Sequence, residues 1–447
     1  MQLFLSDFSF SFVALIIPMT YEQATNYLFT RLPMFSRIGA AAYKKDLTNT
    51  YKLCEYLGNP QTKFKSVHIA GTNGKGSTSH MLAAVLQTAG YKTGLYTSPH
   101  LRDFRERFRV SGEMIDKQFV VDFVQRIQPA IDEIEPSFFE ITVAMAFEYF
   151  VREQVDIAVI ETGLGGRLDS TNIITPEVAV ITNIGWDHMN LLGDSLPAIA
   201  FEKAGIIKSG IPVVIGETDA ETRSVFEQVA REKQAPLFFA DKQRYVAEWQ
   251  YEHHQLQLQV AISGSDERTS YQLDLPGFYQ TKNCITVLEV IGHLQMAGFK
   301  IAEDHVQRAL RQVKRLTGLH GRWEVIHANP VVVLDVGHNE DGIRQIMAQI
   351  ELSDYQHLHI VIGLVKDKEI EKVLALLPKE ATYYFTRAQI PRALPEAELA
   401  ARATAIGLSG NAYGDVNTAL QQAMHKAEKH DLILVCGSVF VVGEVSL

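Results

Sequence analysis

The sequence predicts an α/β protein: a P-loop, doubly wound, mostly parallel sheet domain followed by a smaller Rossmann-like α/β C-terminal domain. Three observations carry this. An apolar run, Val67 to Ala70, leads into a loop holding Gly71, Gly74 and Gly76, and a helical pattern then begins with Met81, Leu82, Val85 and Leu86. Short, nearly continuous apolar runs, such as Val155 to Ile160 and Val178 to Ile181, alternate with helical patterns, as central strands of a parallel sheet covered on both faces require. Past Leu316 to Arg322, which holds two glycines and two basic residues, the alternation starts again. Domains are therefore expected over 19–317 and 318–447.

In chain order, Thr20 to Leu57 has helical spacing interrupted by Pro33 and Gly39, predicting two helices around an irregular segment. Beyond the phosphate loop, Lys92 to Thr97 reads as a strand stopped by Pro99, and polar Arg102 to Arg109 as a loop. Helices are expected over Asp116 to Ile134 and Phe138 to Arg152, and another from a Ser195 cap through Lys208, closed by Gly210. Val213 to Ile215 supplies a further strand. Alternation from Tyr245 to Leu275 suggests an antiparallel appendage, and Gln280 to Met296 and Glu303 to Val313 are helical. In the second domain, strands at Val331 to Leu334, His359 to Ile362, Thr382 to Phe385 and Leu432 to Val435 alternate with helices from Asp341 and Lys368 and near Glu396 and Asn417.

The 447 residues suffice for two or three domains with cores of their own. A net charge of −10 argues against a nucleic-acid scaffold and leaves room for a local basic pocket that takes a small anion. Cys54, Cys284 and Cys436 are far apart, odd in number and without histidine at ligand spacing, so neither a disulfide framework nor a zinc site is expected, and a reducing cytoplasm fits. Residues 1–18 are apolar but lack a basic start and a small-residue cleavage site, and carry Asp7; they read as a disordered extension or an over-early start, with Met19 as the initiator. No stretch is expected to span a membrane.

Chemistry starts at Gly71-Thr72-Asn73-Gly74-Lys75-Gly76-Ser77. Glycines let backbone N–H groups close on an anionic oxygen, the following helix turns its positive end to the same anion, and Lys75 adds a point charge. The pattern is a variant: Ile69 stands at the usual first glycine, and Gly76 where serine or threonine normally follows the lysine. By itself it leaves kinase, GTPase, ATPase and ligase open. Ser98, Glu161 and His188 fall at the carboxyl ends of strands, where doubly wound sheets bind ligands, and a carboxylate opposite a phosphate loop is placed to hold magnesium.

Taken together, several stretches resemble the folylpolyglutamate and dihydrofolate synthases of the Mur-ligase superfamily in order and spacing. They are the phosphate loop, Leu95 to Pro99, Val159 to Gly166, Asp187-His188, Lys203 to Lys208, Gly277 to Gln280 with Asn283, Gly321-Arg322, Leu334 to Asn339, Lys366 to Lys368, Pro391 to Leu394 and Cys436 to Ser438. The resemblance implies an ATP-dependent acid–amino acid ligase that adds L-glutamate to dihydropteroate or to a reduced folate through an acyl phosphate, as a cytoplasmic monomer. It implies phosphate contacts from Thr72 to Ser77, metal contacts from Ser98, Glu161 and His188, and a carbamylated Lys203 that helps position Mg2+. It further implies that Asn283 lies on the adenine side, that Arg322 meets phosphate, and that Asp335 and His338 serve ribose and phosphate. His100, Phe104 and Arg107 fall where the family wraps a loop around the pteridine. The alternatives are another Mur-type ligase, disfavoured by Lys75-Gly76, and a nucleotide-dependent switch, which would have no reason to carry Lys203, Arg322 and His338 together.

Overall fold

A computed structural model describes residues 19–34, 39, 44, 46–252, 255–366 and 369–446. The expectation for residues 1–18 and part of the irregular segment before Thr48 lie outside the described residues, as do Asp367 and Lys368. The first sheet has, among the described residues, eight strands: β1 Lys65–Ala70, β2 Thr93–Tyr96, β3 Phe108–Val110, β4 Glu113–Met114, β5 Ile157–Glu161, β6 Val178–Ile181, β7 Val213–Ile215 and β8 Leu237–Phe239. Their order is β4-β3-β2-β5-β1-β6-β7-β8, parallel from β2 to β8 with an antiparallel β3-β4 edge.

Both faces of this sheet are covered, which explains the uninterrupted apolar strands. Val67, Ile69, Ile157 and Val159 pack on one face with the helices Lys75–Thr88 and Gln280–Met296. Ala158 and Ile160 pack on the other with Lys117–Ile134 and Phe138–Arg152. The antiparallel appendage is β9 Arg244–Glu252, β10 Gln255–Ile262 and β11 Arg268–Leu273.

The second sheet runs β12-β13-β17-β14-β15-β16, with β12 Glu324–Ala328, β13 Val331–Leu334, β14 Leu358–Ile362, β15 Thr382–Phe385, β16 Gly410–Ala412 and β17 Leu432–Cys436. All its pairings are parallel except β12 with β13. It too is buried on both faces: Ile360, Ile362 and Leu434 on one, Val361, Ile433 and Val435 on the other.

The structure corrects several expected elements. Arg102 to Arg109 is no simple loop: Phe104–Arg107 forms a 3-10 turn, capped by Asp103, and β3 follows at once. Phe108 is buried and Arg109 partly exposed, an alternation too short and too charged to read as a strand. The helix capped by Ser195 ends at Ala204, because Gly205 caps it and Ile206 and Ile207 turn into the core. The helix Arg223–Glu232 and strands β8 and β12 were not expected. Among the described residues no helix is long and apolar enough to cross a membrane. All three cysteines are buried thiols.

Candidate active site

The carboxyl ends of β1, β5 and β6 in the first sheet and of β13 and β17 in the second open onto one cavity of about 640 Å³. Gly74 begins the helix Lys75–Thr88 at φ +83°, and a Cβ there would overlap Asn283 Oδ1. At Gly76 a Cβ would lie 3.2 Å from Arg322 Nη2 and 3.9 Å from Glu161 Oε2. At the departure from the usual Lys-Ser/Thr pair, the Arg322 guanidinium thus approaches closely where a side chain would begin.

The loop is braced from β6. Thr72 Oγ1 donates to Gly185 O (3.1 Å) and accepts from Gly185 N (2.9 Å), and Asn73 N donates to Asn183 Oδ1 (2.9 Å). Lys75 Nζ folds back on its own loop, donating to the carbonyls of Gly71 (3.0 Å) and Thr72 (3.1 Å). Ser77 Oγ accepts from Gln280 Nε2 (3.1 Å), and Gln280 Oε1 accepts from Asn283 Nδ2 (2.8 Å).

Glu161 ends β5 only 5% exposed, with Ser98 N donating to its Oε2 at 3.4 Å. Burial pushes its pKa up to about 7 although Lys75, Arg322 and Arg107 pull the other way. His188 sits at φ +52° on the same cavity, its Nε2 3.7 Å from Asp187 Oδ2. Glu161 and Ser98 therefore meet, and His188 reaches the shared cavity from β6.

The hard oxygens of Ser77, Ser98 and Glu161, with a buried carboxylate beside Lys75 and Arg322, fit a magnesium ion held largely by phosphate oxygens. Among the described residues no three His, Cys, Asp or Glu side chains form a metal cage. Lys203 is 3% exposed and its Nζ donates to Gly71 O (2.9 Å). Burial first, then the charge of Lys75, lowers its pKa to about 7, leaving a large neutral fraction near pH 7.

From the second sheet, Asp335 is no helix cap. Its Oδ2 accepts from Tyr279 OH (2.6 Å) and Trp323 N (2.9 Å) and its Oδ1 from Gly337 N (2.8 Å), so it ties the linker to β13. Asn339 makes the cap, accepting from Gly342 N (2.8 Å), and also exchanges hydrogen bonds with Asn73 of the phosphate loop at 3.1 and 3.2 Å. Asn339 Nδ2 and His338 Nε2 both approach Asp187 Oδ2, at 3.2 and 3.5 Å. Sequence reasoning quoted Asn339 within its stretch but gave it no role.

Of the three residues expected around the pteridine, Arg107 alone lines the cavity. Phe104 is 4% exposed, its ring against Phe29, Phe108 and Phe138 inside the core, which corrects the expectation that it stacks on a ligand. His100 Nδ1 accepts from Arg107 Nε (2.8 Å), and its ring packs on Phe29 and Phe104. Phe138 and Phe139 supply the apolar wall instead, with the buried carboxylate of Asp169 beside them. The signals for these were present: a Phe-Phe pair at a helix start, and an acid eight residues after Glu161.

Two family models match: the Mur ligase middle domain over residues 69–291 and the Mur ligase glutamate ligase domain over 321–439. The dihydrofolate synthase/folylpolyglutamate synthase of Bacillus subtilis is 31% identical over 438 residues, which are 95% of this chain and 98% of that protein. The chain belongs to the dihydrofolate synthase/folylpolyglutamate synthase family. It also spans about half the length of other curated relatives it matches: 50% of a probable bifunctional folylpolyglutamate synthase/dihydropteroate synthase of Haloferax volcanii, at 32% identity over 95% of this chain. Among solved structures, Escherichia coli FolC in complex with DHPP and ADP superposes with a TM-score of 0.81 at 29% identity, covering 95% of this chain and 96% of that one. A bifunctional synthase of the family with Mn, AMPPNP and L-glutamate bound gives a TM-score of 0.77 at 29% identity, covering 90% and 93%.

Proposed function

We propose that the chain is an ATP-dependent ligase that joins L-glutamate to dihydropteroate, to a reduced folate, or to both. The observation that carries this is the convergence of a phosphate loop, a buried Glu161 and a second-sheet tether through Asn339 on one cavity large enough for a nucleotide and an acid. The acceptor carboxylate attacks the γ-phosphorus of ATP, ADP leaves, and the glutamate amine displaces phosphate from the acyl phosphate through a tetrahedral intermediate. Backbone amides of Thr72 to Ser77 cradle the phosphates, and Lys75 leaves the Gly71 and Thr72 carbonyls to meet transferring oxygens. Arg322, next to Gly76 and Glu161, stabilises the same charge from the linker. Glu161, with Ser98 and His188, would hold magnesium, which would supply neutralisation of phosphate charge.

Lys203, neutral in part near pH 7, could add through Nζ to carbon dioxide with loss of a proton, and the resulting carbamate would supply an anionic oxygen to help hold magnesium. Asn283 takes the adenine side, and Asp335 and His338 hold the second-domain side of the nucleotide. Arg107, with Phe138 and Phe139, receives the pterin acid. Closure of the second domain, 318–447, on the first, 19–317, shields the acyl phosphate from water. A monomer in the cytoplasm suits the reaction and the buried thiols.

The test is ADP release with ATP, magnesium and L-glutamate, in one series with dihydropteroate and in another with tetrahydrofolate, with product masses followed. Release that requires both acid and glutamate, with the gain of one glutamyl unit, is expected. ATP hydrolysis indifferent to either would favour a nucleotide switch.

A further inference from the structure

Beside the phosphate contact Arg322 the cavity is lined by residues to which none of the roles above is given, between the helix Lys75–Thr88, the strand β3 and the linker Gly318–Arg322. His80 enters it from the helix, Arg109 from β3, and His320 and Arg322 from the linker. His80 Nδ1 is hydrogen-bonded to Thr317 Oγ1 (2.8 Å), which fixes the ring at the cavity wall. The Arg109 guanidinium lies flat against the linker, so close that a Cβ on Gly318 would stand 2.7 Å from its Nη2. Its Nη1 donates to Gly112 O (2.8 Å), while its Nε is buried with no hydrogen-bond partner.

Two guanidinium groups and an exposed imidazole thus share a partly desolvated space. The carboxylates that face Arg109 are Glu106, Asp103 and Glu113; Glu106 accepts from the backbone N–H groups of Leu101, Arg102 and Asp103, Asp103 from Arg105, and on the linker side Glu324 accepts from His320 and Gly321 N. Burial first, then the charges of Arg109, Arg322 and His320, hold His80 well below its ordinary pKa, so these three cations lie within reach of one imidazole. A partly buried, fork-shaped donor with a spare N–H, close to a second guanidinium, is suited to a planar oxyanion.

We propose that Arg109 forms an oxyanion subsite beside the phosphate contact Arg322, and that its occupant is the second carboxylate of a glutamyl acceptor. The assignment rests on the ligase function proposed above. Dihydropteroate has one carboxylate, which must react. A folate reacts through the γ-carboxylate of its terminal glutamate and brings an α-carboxylate to the same place, separated by three carbons. A cation next to the phosphate site therefore serves chain extension and is idle in the first glutamylation, so Arg109 discriminates between the two acceptors. A second oxyanion source exists in the same reaction, the leaving inorganic phosphate.

The experiment compares wild type with Arg109→Gln and Arg109→Lys in steady state, with dihydropteroate, tetrahydrofolate and tetrahydrofolate diglutamate as acceptors, and with inorganic phosphate as product inhibitor. Arg109→Gln is expected to raise KM about tenfold or more for the two glutamyl acceptors, the scale of one charged hydrogen bond, and by less than twofold for dihydropteroate. Arg109→Lys should recover part of the loss. Retained dihydropteroate turnover shows that each variant is folded. Unchanged KM values with weaker phosphate inhibition would overturn the carboxylate assignment in favour of product phosphate. An equal loss with every acceptor, or no change in any arm, would overturn the subsite itself. Wild type that adds glutamate to no acceptor would instead refute the ligase function.

Discussion

Glu161 and Asp335 make an instructive pair. Each is a buried carboxylate just at the end of a central parallel strand, one in the first sheet and one in the second, and burial raises the pKa of both. Asp335 is met by three donors at 2.6 to 2.9 Å from Tyr279, Trp323 and Gly337. Glu161 receives a single backbone N–H at 3.4 Å and is otherwise faced by the more distant charges of Lys75, Arg322 and Arg107. A carboxylate already met by three donors is fixed in place and keeps room for only about one further contact; one kept short of partners among cations is poised for something that arrives. The first sheet's edge is thus built for chemistry, and the second's for registering one domain on the other.

The largest effect should come from the side of unmet charge. Lys75→Ala is expected to lower kcat by about 10³-fold, as loss of a preorganised cation at a transferring phosphoryl group does. A variant within tenfold of wild type would break the contrast. Lys203→Met should cost on the order of 10²-fold in turnover and also sharpen the comparison through stability. The native pKa of about 7 lies below the ordinary lysine value of 10.5, so between these pH values the unfolded chain holds the extra proton. Wild-type stability from this group therefore rises as pH climbs from 7 to 10.5. The methionine variant should be more stable at pH 7 by about 2–4 kcal/mol, an advantage that shrinks toward pH 10.5. Denaturant titrations at several pH values check it, and a constant difference would remove the claim that Lys203 is strained by burial.

On the registering side, Asn339→Ala deletes the amide exchange with Asn73, the contact to Asp187 and a helix cap. About a tenfold loss in kcat/KM is expected, since four hydrogen bonds are removed but no charge at the phosphoryl group. A loss equal to that of Lys75→Ala would mean that the second sheet joins in the chemistry. The smallest change in activity is expected for Phe104→Leu. Its ring lies in the core, so thermal unfolding should register a loss of about 1–2 kcal/mol while KM for the pterin acid moves less than twofold.

Much of this was legible in the sequence, for physical reasons. The helices Gln280–Met296 and Phe138–Arg152 and the strands Val178–Ile181 and Thr382–Phe385 lie where periodicity and doubly apolar runs put them, because burial on both faces leaves a plain pattern. Phe108–Val110 did not, because a three-residue strand that alternates phenylalanine with arginine looks like a charged loop. The strand-end residues were marked by their positions. Asn339 was harder to see, because its use depends on a partner 266 positions away, and nothing local in a capping asparagine foretells it. Phe104 misled for the converse reason: an aromatic in a polar loop reads as a ligand contact until the fold shows four other rings around it.

The most direct test of the central claim, that an acceptor carboxylate is phosphorylated at the phosphate loop, is an isotope transfer. The acceptor is supplied with ¹⁸O in its reacting carboxylate, and inorganic phosphate from turnover with ATP and L-glutamate is analysed by mass. One labelled oxygen per phosphate released is the predicted result, because the oxygen that joins carbon to phosphorus leaves with phosphate. Phosphate free of label, with glutamate nonetheless joined to the acceptor, would contradict the account.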